Sequence, residues 1–295
     1  MRFISFEHRD GPTWGILDGA YAVDLGTNSP YPTLRDALMR GGLDRLPGTS
    51  GAPRFRTGDV RMLPPICWPE KILCVELNYR DHGEEKGHEK ARYPVVLPRF
   101  ADTLVADGEP LVAPWRSSTL DYEGELAVVI GRRGRHVDVS DALDLVFGYS
   151  VFNDASVREY QWHTHQYTPG KNFPGTGAFG PAIVTPDEVG DLDHLRITTR
   201  LNGAPVQESR LGNIIFSVAE LIAYCSEWTE LRPGDVIATG TPGGGGASHQ
   251  PPLWLHPGDI CQVAIEGIGT LTNSVIAEQD AKDVELYKVG SSGSR

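Results

Sequence analysis

Cysteine is scarce in this chain, with four among 295 residues: Cys67, Cys74, Cys225 and Cys261. None forms a C-x-x-C pair and their spacing fits no zinc template, which sets aside disulfide frameworks and zinc ribbons. Cys74, Cys225 and Cys261 sit in apolar runs and read as small core residues of a reducing compartment. Long apolar runs are missing too. No stretch reaches the ~18 residues of a membrane span, and the segment Met1 to His8 has no cleavage-site pattern. A cytoplasmic protein with no membrane partner is the expectation. Positive charge is also in deficit: 27 Lys and Arg against 39 Asp and Glu leave a formal charge of -12. Such a surface repels phosphate backbones, so nucleic acid is not expected as a partner.

What is present is an ordinary globular composition, 40% hydrophobic and 22% charged, in a chain long enough for one large domain with a small one beside it. Residues 1–66 read as a small β-rich N-terminal unit. Thr13 to Leu17 and Ala20 to Leu25 flank Asp18-Gly19, a hairpin signal, and Thr33 is placed to cap a short helix to Met39. The double proline Pro64-Pro65 marks a boundary. From 67 to 278 the texture is that of a larger domain of many short strands and few helices. Strands are expected at 72–75, 126–130, 145–153, 235–239 and 259–265. A hairpin turning at Asn202-Gly203 and an amphipathic helix over 218–228 complete it. Residues 137–145 look helical with Ser140 as N-cap, 161–180 reads as a long ordered loop, and 82–90 as a polar helix or mobile loop. The stretch 279–295 is a tail expected to be partly disordered. The fold class implied is α+β and β-dominated.

The sharpest chemical signal is Leu120-Asp121-Tyr122-Glu123-Gly124-Glu125-Leu126. On a strand, residues two apart share a face, so Asp121, Glu123 and Glu125 would point the same way. Clustered carboxylates repel one another and need compensation. A hard divalent cation, Mg²⁺ or Mn²⁺, takes oxygen ligands of this kind. The bland alternative is an exposed edge with a solvated acidic face, but the apolar run Leu126 to Ile130 follows directly. Asp154, ending the run Gly148 to Asn153, is placed to add a third carboxylate from a neighbouring strand.

Further candidates are weaker alone. His82 and Glu85 are three apart and face one another on a helical turn, a general-base arrangement or an ordinary surface pair. Lys171 stands in a Gly/Pro-rich loop, either solvated or ready to steady an oxyanion. Thr239 to Gly246 superficially looks like a phosphate loop but lacks G-K-[ST], and reads as a turn with main-chain N–H groups free for an anion. His163, His165, His249 and His256 lack a convincing third ligand for a transition-metal site.

Taken in order, these stretches resemble the fumarylacetoacetate hydrolase superfamily, including bacterial 2-hydroxyhepta-2,4-diene-1,7-dioate isomerase-like members. The matching pieces are Asn78-Tyr79-Arg80-Asp81-His82, Leu120 to Leu126, Gly148-Tyr149 through Asn153-Asp154, Gly170-Lys171, Pro233 to Ile237 and Thr239-Gly240-Thr241-Pro242. The resemblance implies a mixed β-roll catalytic domain behind a small N-terminal domain, and Mg²⁺ or Mn²⁺ on Glu123, Glu125 and Asp154. It further implies water activation by His82 with Glu85, substrate steadied by Lys171, contacts from Tyr79, Arg80, Arg99 and Thr241, and a homodimer. Three departures stand out. Glu76 replaces a common Gly, Arg99 replaces a common Lys, and Asn172-Phe173-Pro174 follows Lys171 in place of a small residue, an aromatic and Asp. The activity expected is metal-dependent hydrolysis of a C–C bond in a small 1,3-diketo or 2-oxo acid. The alternatives are an isomerase or decarboxylase on the same scaffold, and a non-catalytic binding protein.

Overall fold

The computed structural model describes residues 1–43, 49–80 and 92–283. The fold is α+β and strand-rich. A twelve-stranded mixed sheet runs, from one edge, through Arg54–Arg56, Tyr21–Asp24, Gly11–Asp18, Arg2–His8, Gly177–Val184, Val146–Asp154, Gly124–Ile130, Val236–Ala238, Ile72–Glu76 and Val95–Arg99. Arg61–Leu63 and Leu104–Val105 pair off this path. A five-stranded sheet, Ala204–Arg210, Arg196–Leu201, Ile260–Ile265, Gly269–Ala277 and Leu111–Ala113, packs against it.

The central strand Gly124–Ile130 shows why this arrangement forms. Every residue in it is buried, as expected of a strand covered on both faces. Leu126, Val128 and Ile130 join Ile197, Val263 and Leu271 of the second sheet and Leu221 and Cys225 of the helix Val218–Trp228. Ala127 and Val129 turn the other way, to Cys74, Phe152, Trp14 and the short N-terminal helix Leu34–Met39. Each such aliphatic side chain contributes about 1.5–3 kcal/mol by leaving water. The helix Val218–Trp228 starts on a full capping box: Ser217 accepts from the Glu220 N–H, and Glu220 accepts from the Ser217 N–H at 2.7 Å. The Asn202-Gly203 turn is a two-residue hairpin with both φ values positive, 52° and 83°, the geometry that this pair favours.

The N-terminal strand Arg2–His8 pairs with Gly11–Asp18 and Arg61–Leu63 of its own unit and with Gly177–Val184 of the larger one. The N-terminal unit thereby extends the main sheet. Thr33 caps Leu34–Met39 by accepting from the Asp36 N–H.

Three local expectations change. Residues 139–145 form a 3-10 helix with Asp138 at the N-cap. Ser140 therefore already lies inside the first turn, where its hydroxyl turns to Asp141 Oδ1 at 3.2 Å. The loop expected over 161–180 contains the helical turn Thr168–Lys171, with Pro169 where a helix start tolerates it, and gives way to a strand at Gly177, which pairs with Asp154. Of the expected tail, residues 279–283 belong to the 3-10 helix Glu278–Asp283, while 284–295 lie outside the described residues.

Candidate active site

Strand register brings the acidic residues together. Gly124 pairs with Asn153 and Glu125 with Phe152. Just beyond, the Asp154 N–H donates to the Glu123 carbonyl at 2.9 Å. Ile72–Glu76 runs parallel to Val236–Ala238, which is antiparallel to Gly124–Ile130. The C-terminal ends of Ile72–Glu76 and Val146–Asp154 therefore meet the N-terminal end of Gly124–Ile130. Glu76, Glu123, Glu125 and Asp154 collect there, all buried.

Lys171 closes the cluster from the helical turn Thr168–Lys171. Its ammonium, fully buried, lies 2.8 Å from Glu76 Oε1, 2.5 Å from Glu123 Oε2 and 2.8 Å from Asp154 Oδ2. Two arginines hold the opposite oxygens of the last two carboxylates. Arg158 Nη1 reaches Glu123 Oε1 at 2.6 Å, and Arg99 Nε reaches Asp154 Oδ1 at 2.6 Å. Glu125 sits beside them with its Oε2 accepting from the Gly240 N–H at 2.9 Å.

The charges shift accordingly. Burial pushes Glu125 well above the ordinary carboxylate range, and the charges of Asp154 and Glu123 push it further, against Lys171 and the Gly240 N–H. Burial also raises Glu76, with Lys171 opposing. For Asp154 burial is overridden by Arg99 and Lys171, which hold it below its ordinary value. Burial alone would lower Lys171, but Asp154, Glu123 and Glu76 hold its ammonium firmly protonated. The Cys74 thiol, 3.3 Å from Asp154 Oδ1, is raised well above its ordinary value by burial and so is no thiolate.

Asp121 does not share a face with Glu123 and Glu125. The strand breaks after Asp121 and resumes at Gly124, so the alternation expected from the sequence is interrupted. The Asp121 carboxylate instead accepts from the Gly246 and Ala247 N–H groups at 2.7 and 3.0 Å and from Arg158 Nε at 2.8 Å. The glycine-rich loop does present main-chain N–H groups to an anion, and the anion is this side chain.

The other candidates fall in different places. Arg99, expected to meet substrate, is buried. Its guanidinium donates to Asp154, to the hydroxyls of Thr103 and Thr176 and to the Ala155 carbonyl, so it orients Asp154. Thr241 is buried, donating to the Gly124 carbonyl at 3.0 Å and accepting from Gln207 at 2.9 Å. Tyr79 lies in the core. Arg80 lines a cleft of about 470 Å³ with Tyr149, Leu211 and Ser217. That cleft also touches Leu126, on the face of its strand opposite Glu125, and so is separate from the carboxylate cluster. His82 and Glu85 lie outside the described residues. Sequence reading missed Arg158. A basic residue four after Asp154, in a stretch that is otherwise buried, was its available signal.

The cluster suits a hard divalent cation. The ligand oxygens of Glu76, Glu123 and Asp154 lie within 4.8 Å of one another, and an ammonium of the same chain already occupies their meeting point. Five buried carboxylates, Asp121 included, face three buried cations. With all of them ionised, two negative charges are left over, the charge that one divalent ion balances.

A family model for the C-terminal domain of fumarylacetoacetate (FAA) hydrolase matches residues 71–276. The chain belongs to the fumarylacetoacetate hydrolase family. Among its relatives in that family, a human mitochondrial oxaloacetate tautomerase is 35% identical over 288 residues, covering 94% of this chain and 92% of the relative. The fumarylacetoacetate hydrolase of Exiguobacterium antarcticum superposes with a TM-score of 0.85 at 35% identity, over 94% of this chain and all of that one. A maleylpyruvate hydrolase from Sphingobium sp. SYK-6, solved with manganese(II) and pyruvate, superposes with a TM-score of 0.77 at 26% identity, over 94% of this chain and 99% of the other. No helix among the described residues is long and apolar enough to cross a membrane.

Proposed function

We propose that this protein moves a proton between carbon and oxygen in a small 2-oxo dicarboxylic acid, as a keto–enol tautomerase of the oxaloacetate type. This reading takes the isomerase alternative over the C–C hydrolase that the sequence first suggested. The carrying observation is the buried Lys171 ammonium among Glu76, Glu123 and Asp154, in a chain matched almost end to end by an oxaloacetate tautomerase.

Glu123, Glu125 and Asp154 would hold a divalent cation, Mg²⁺ or Mn²⁺, which when bound supplies Lewis-acid polarisation of the substrate's oxo and carboxylate oxygens. The chain's own groups do the rest. Arg99 and Arg158 fix the outer oxygens of Asp154 and Glu123, so these carboxylates need not reorganise when substrate arrives. Lys171, held protonated, donates a hydrogen bond to the oxo oxygen and stabilises the negative charge that grows there as the enol forms. His82, with Glu85, would take the proton from the adjacent carbon and deliver it to the oxo oxygen, and would run the same transfer backwards for ketonisation, so that no proton is gained or lost overall. No attacking water is needed for this step. A small 2-oxo acid and a second copy of the chain are the partners this reading keeps.

The test is to follow decay of the oxaloacetate enol in the ultraviolet with Mg²⁺, with Mn²⁺ and with chelator, alongside acetylpyruvate and fumarylpyruvate. Products are identified by mass. Metal-dependent interconversion with unchanged mass supports the tautomerase. Faster cleavage of a diketo acid into two acids would restore the hydrolase reading, and release of carbon dioxide would move it to a decarboxylase.

A further inference from the structure

Glu76 has no part in the reaction described above, yet it is one of three carboxylates touching the Lys171 ammonium. Its placement is unusually rigid. Leu77, the next residue, adopts φ 56°, a left-handed conformation that is strained for a residue other than glycine. Asn78 then ties the chain down. Its amide donates to the Phe216 and Thr239 carbonyls at 3.1 and 2.7 Å, and its carbonyl accepts from the Phe216 N–H at 2.8 Å. The left-handed Leu77 and the three hydrogen bonds of the Asn78 side chain after it fix the direction of the strand end that carries Glu76.

The other two partners of Lys171 are shared. Glu123 and Asp154 each turn one oxygen to an arginine and the other to Lys171. A divalent cation held by Glu123 and Asp154 competes with the ammonium for those inner oxygens. Glu76 makes no arginine pair among the described residues. It comes from a different strand and approaches the ammonium separately. We infer that Glu76 is the positioning residue for Lys171: it keeps the ammonium beside the substrate when a cation occupies Glu123 and Asp154. Although its carboxylate lies within 4.8 Å of the ligand oxygens of Glu123 and Asp154, Glu76 on this inference acts through the Lys171 ammonium that it meets at 2.8 Å, and not as a ligand of the cation.

The inference rests on the proposed function only for its kinetic consequence, and the experiment separates the two. Wild type, Glu76→Gln, Lys171→Met and the double variant are prepared loaded with Mn²⁺; glutamine keeps the shape of Glu76 and removes its charge. Mn²⁺ affinity is read by electron paramagnetic resonance, stability by urea unfolding of the loaded proteins, and turnover by enol decay. Glu76→Gln should leave Mn²⁺ affinity within about twofold. It should lower the urea midpoint when Lys171 is present and add no loss on top of Lys171→Met. It should cut kcat about tenfold or more with KM little changed, again only where Lys171 is present. A tenfold or larger loss of Mn²⁺ affinity, on the order of 1.4 kcal/mol, would make Glu76 a ligand and overturn the inference. Equal effects of Glu76→Gln with and without Lys171→Met would overturn it as well. If wild type interconverts no oxo acid, the affinity and stability cycles still decide the pair, and only the tautomerase reading falls.

Discussion

A buried carboxylate is informative because its environment must choose its charge, and Glu125 and Asp154 are pushed in opposite directions a few ångströms apart. Glu125, raised by burial and by its acidic neighbours, holds a proton in the folded chain over a range in which the unfolded chain has released it. Stability from this group is therefore present at low pH and is lost as pH rises from the ordinary glutamate value of about 4.3 through the raised folded value. Asp154, lowered in the folded state, contributes stability above its ordinary value of about 3.9 and loses it only as pH falls below that. Above the ordinary carboxylate values the first effect alone operates in this pair. Thermal unfolding in chelator should show a midpoint that falls as pH rises above the ordinary carboxylate range, and Glu125→Gln should reduce the fall, leaving the part due to Glu76, which burial also raises. Saturating Mn²⁺ should flatten it in wild type too, because a cation replaces the proton as the compensating charge. An unchanged slope in Glu125→Gln would mean that the carboxylate is ionised and compensated in the cation-free protein.

At the scale of elements, the glycine-rich loop shows how far spacing alone can be read. Its main-chain N–H groups were expected to face an anion, and they do, but Asp121 supplies the negative charge. The loop's glycines are not equivalent. A Cβ on Gly246 would stand 2.0 Å from the Leu253 carbonyl oxygen and 2.5 Å from Asp121 Oδ1, whereas one on Gly245 meets nothing closer than 3.6 Å. Gly245 also has φ -57°, open to any residue. Gly246→Ala should cost about 2–3 kcal/mol in urea unfolding, and Gly245→Ala should be neutral or stabilising by about 0.5 kcal/mol. Similar losses for both would show that the loop does not press on Asp121 as described. The strands of the core were legible because five consecutive apolar residues, such as Leu126 to Ile130, admit few other fates. The convergence of Glu123, Glu125 and Asp154 was legible because it follows from strand ends and from a resemblance spanning most of the chain. What period-2 alternation could not reveal was the break at Tyr122-Glu123, which frees Asp121 to face the loop. Nor could local sequence show that Glu76 would reach Lys171, that Arg99 would reach Asp154 and that Arg158 would reach Glu123, from elements distant in the chain or in register. Long-range register decides such contacts, and it is invisible in any window of a few residues.

At the scale of the molecule, the N-terminal unit and the site are mechanically joined. Arg2 and Phe3 pair with Val184 and Ile183 at one end of Gly177–Val184, and the other end of that strand is Gly177, which pairs with Asp154. Gly177 also lies against Arg99, where a Cβ would come within 2.9 Å of the guanidinium. One strand thus carries the N-terminal sheet at one end and backs the Arg99–Asp154 pair at the other. The apolar cluster behind Glu125 is likewise shared, since Phe3, Trp14, Leu34 and Leu38 pack with Ile72, Cys74, Ala127 and Phe152. Removing residues 1–66 would expose that surface and open a new edge on the sheet. The fragment 67–295 is therefore expected to aggregate, or to unfold without a cooperative transition, as read by size-exclusion chromatography and near-ultraviolet circular dichroism. It should also lose Mn²⁺ affinity, although every proposed ligand lies within it. A soluble fragment with a cooperative transition and unchanged Mn²⁺ binding would instead make the N-terminal unit an independent domain, and the joining strand would then carry no mechanical consequence for Asp154.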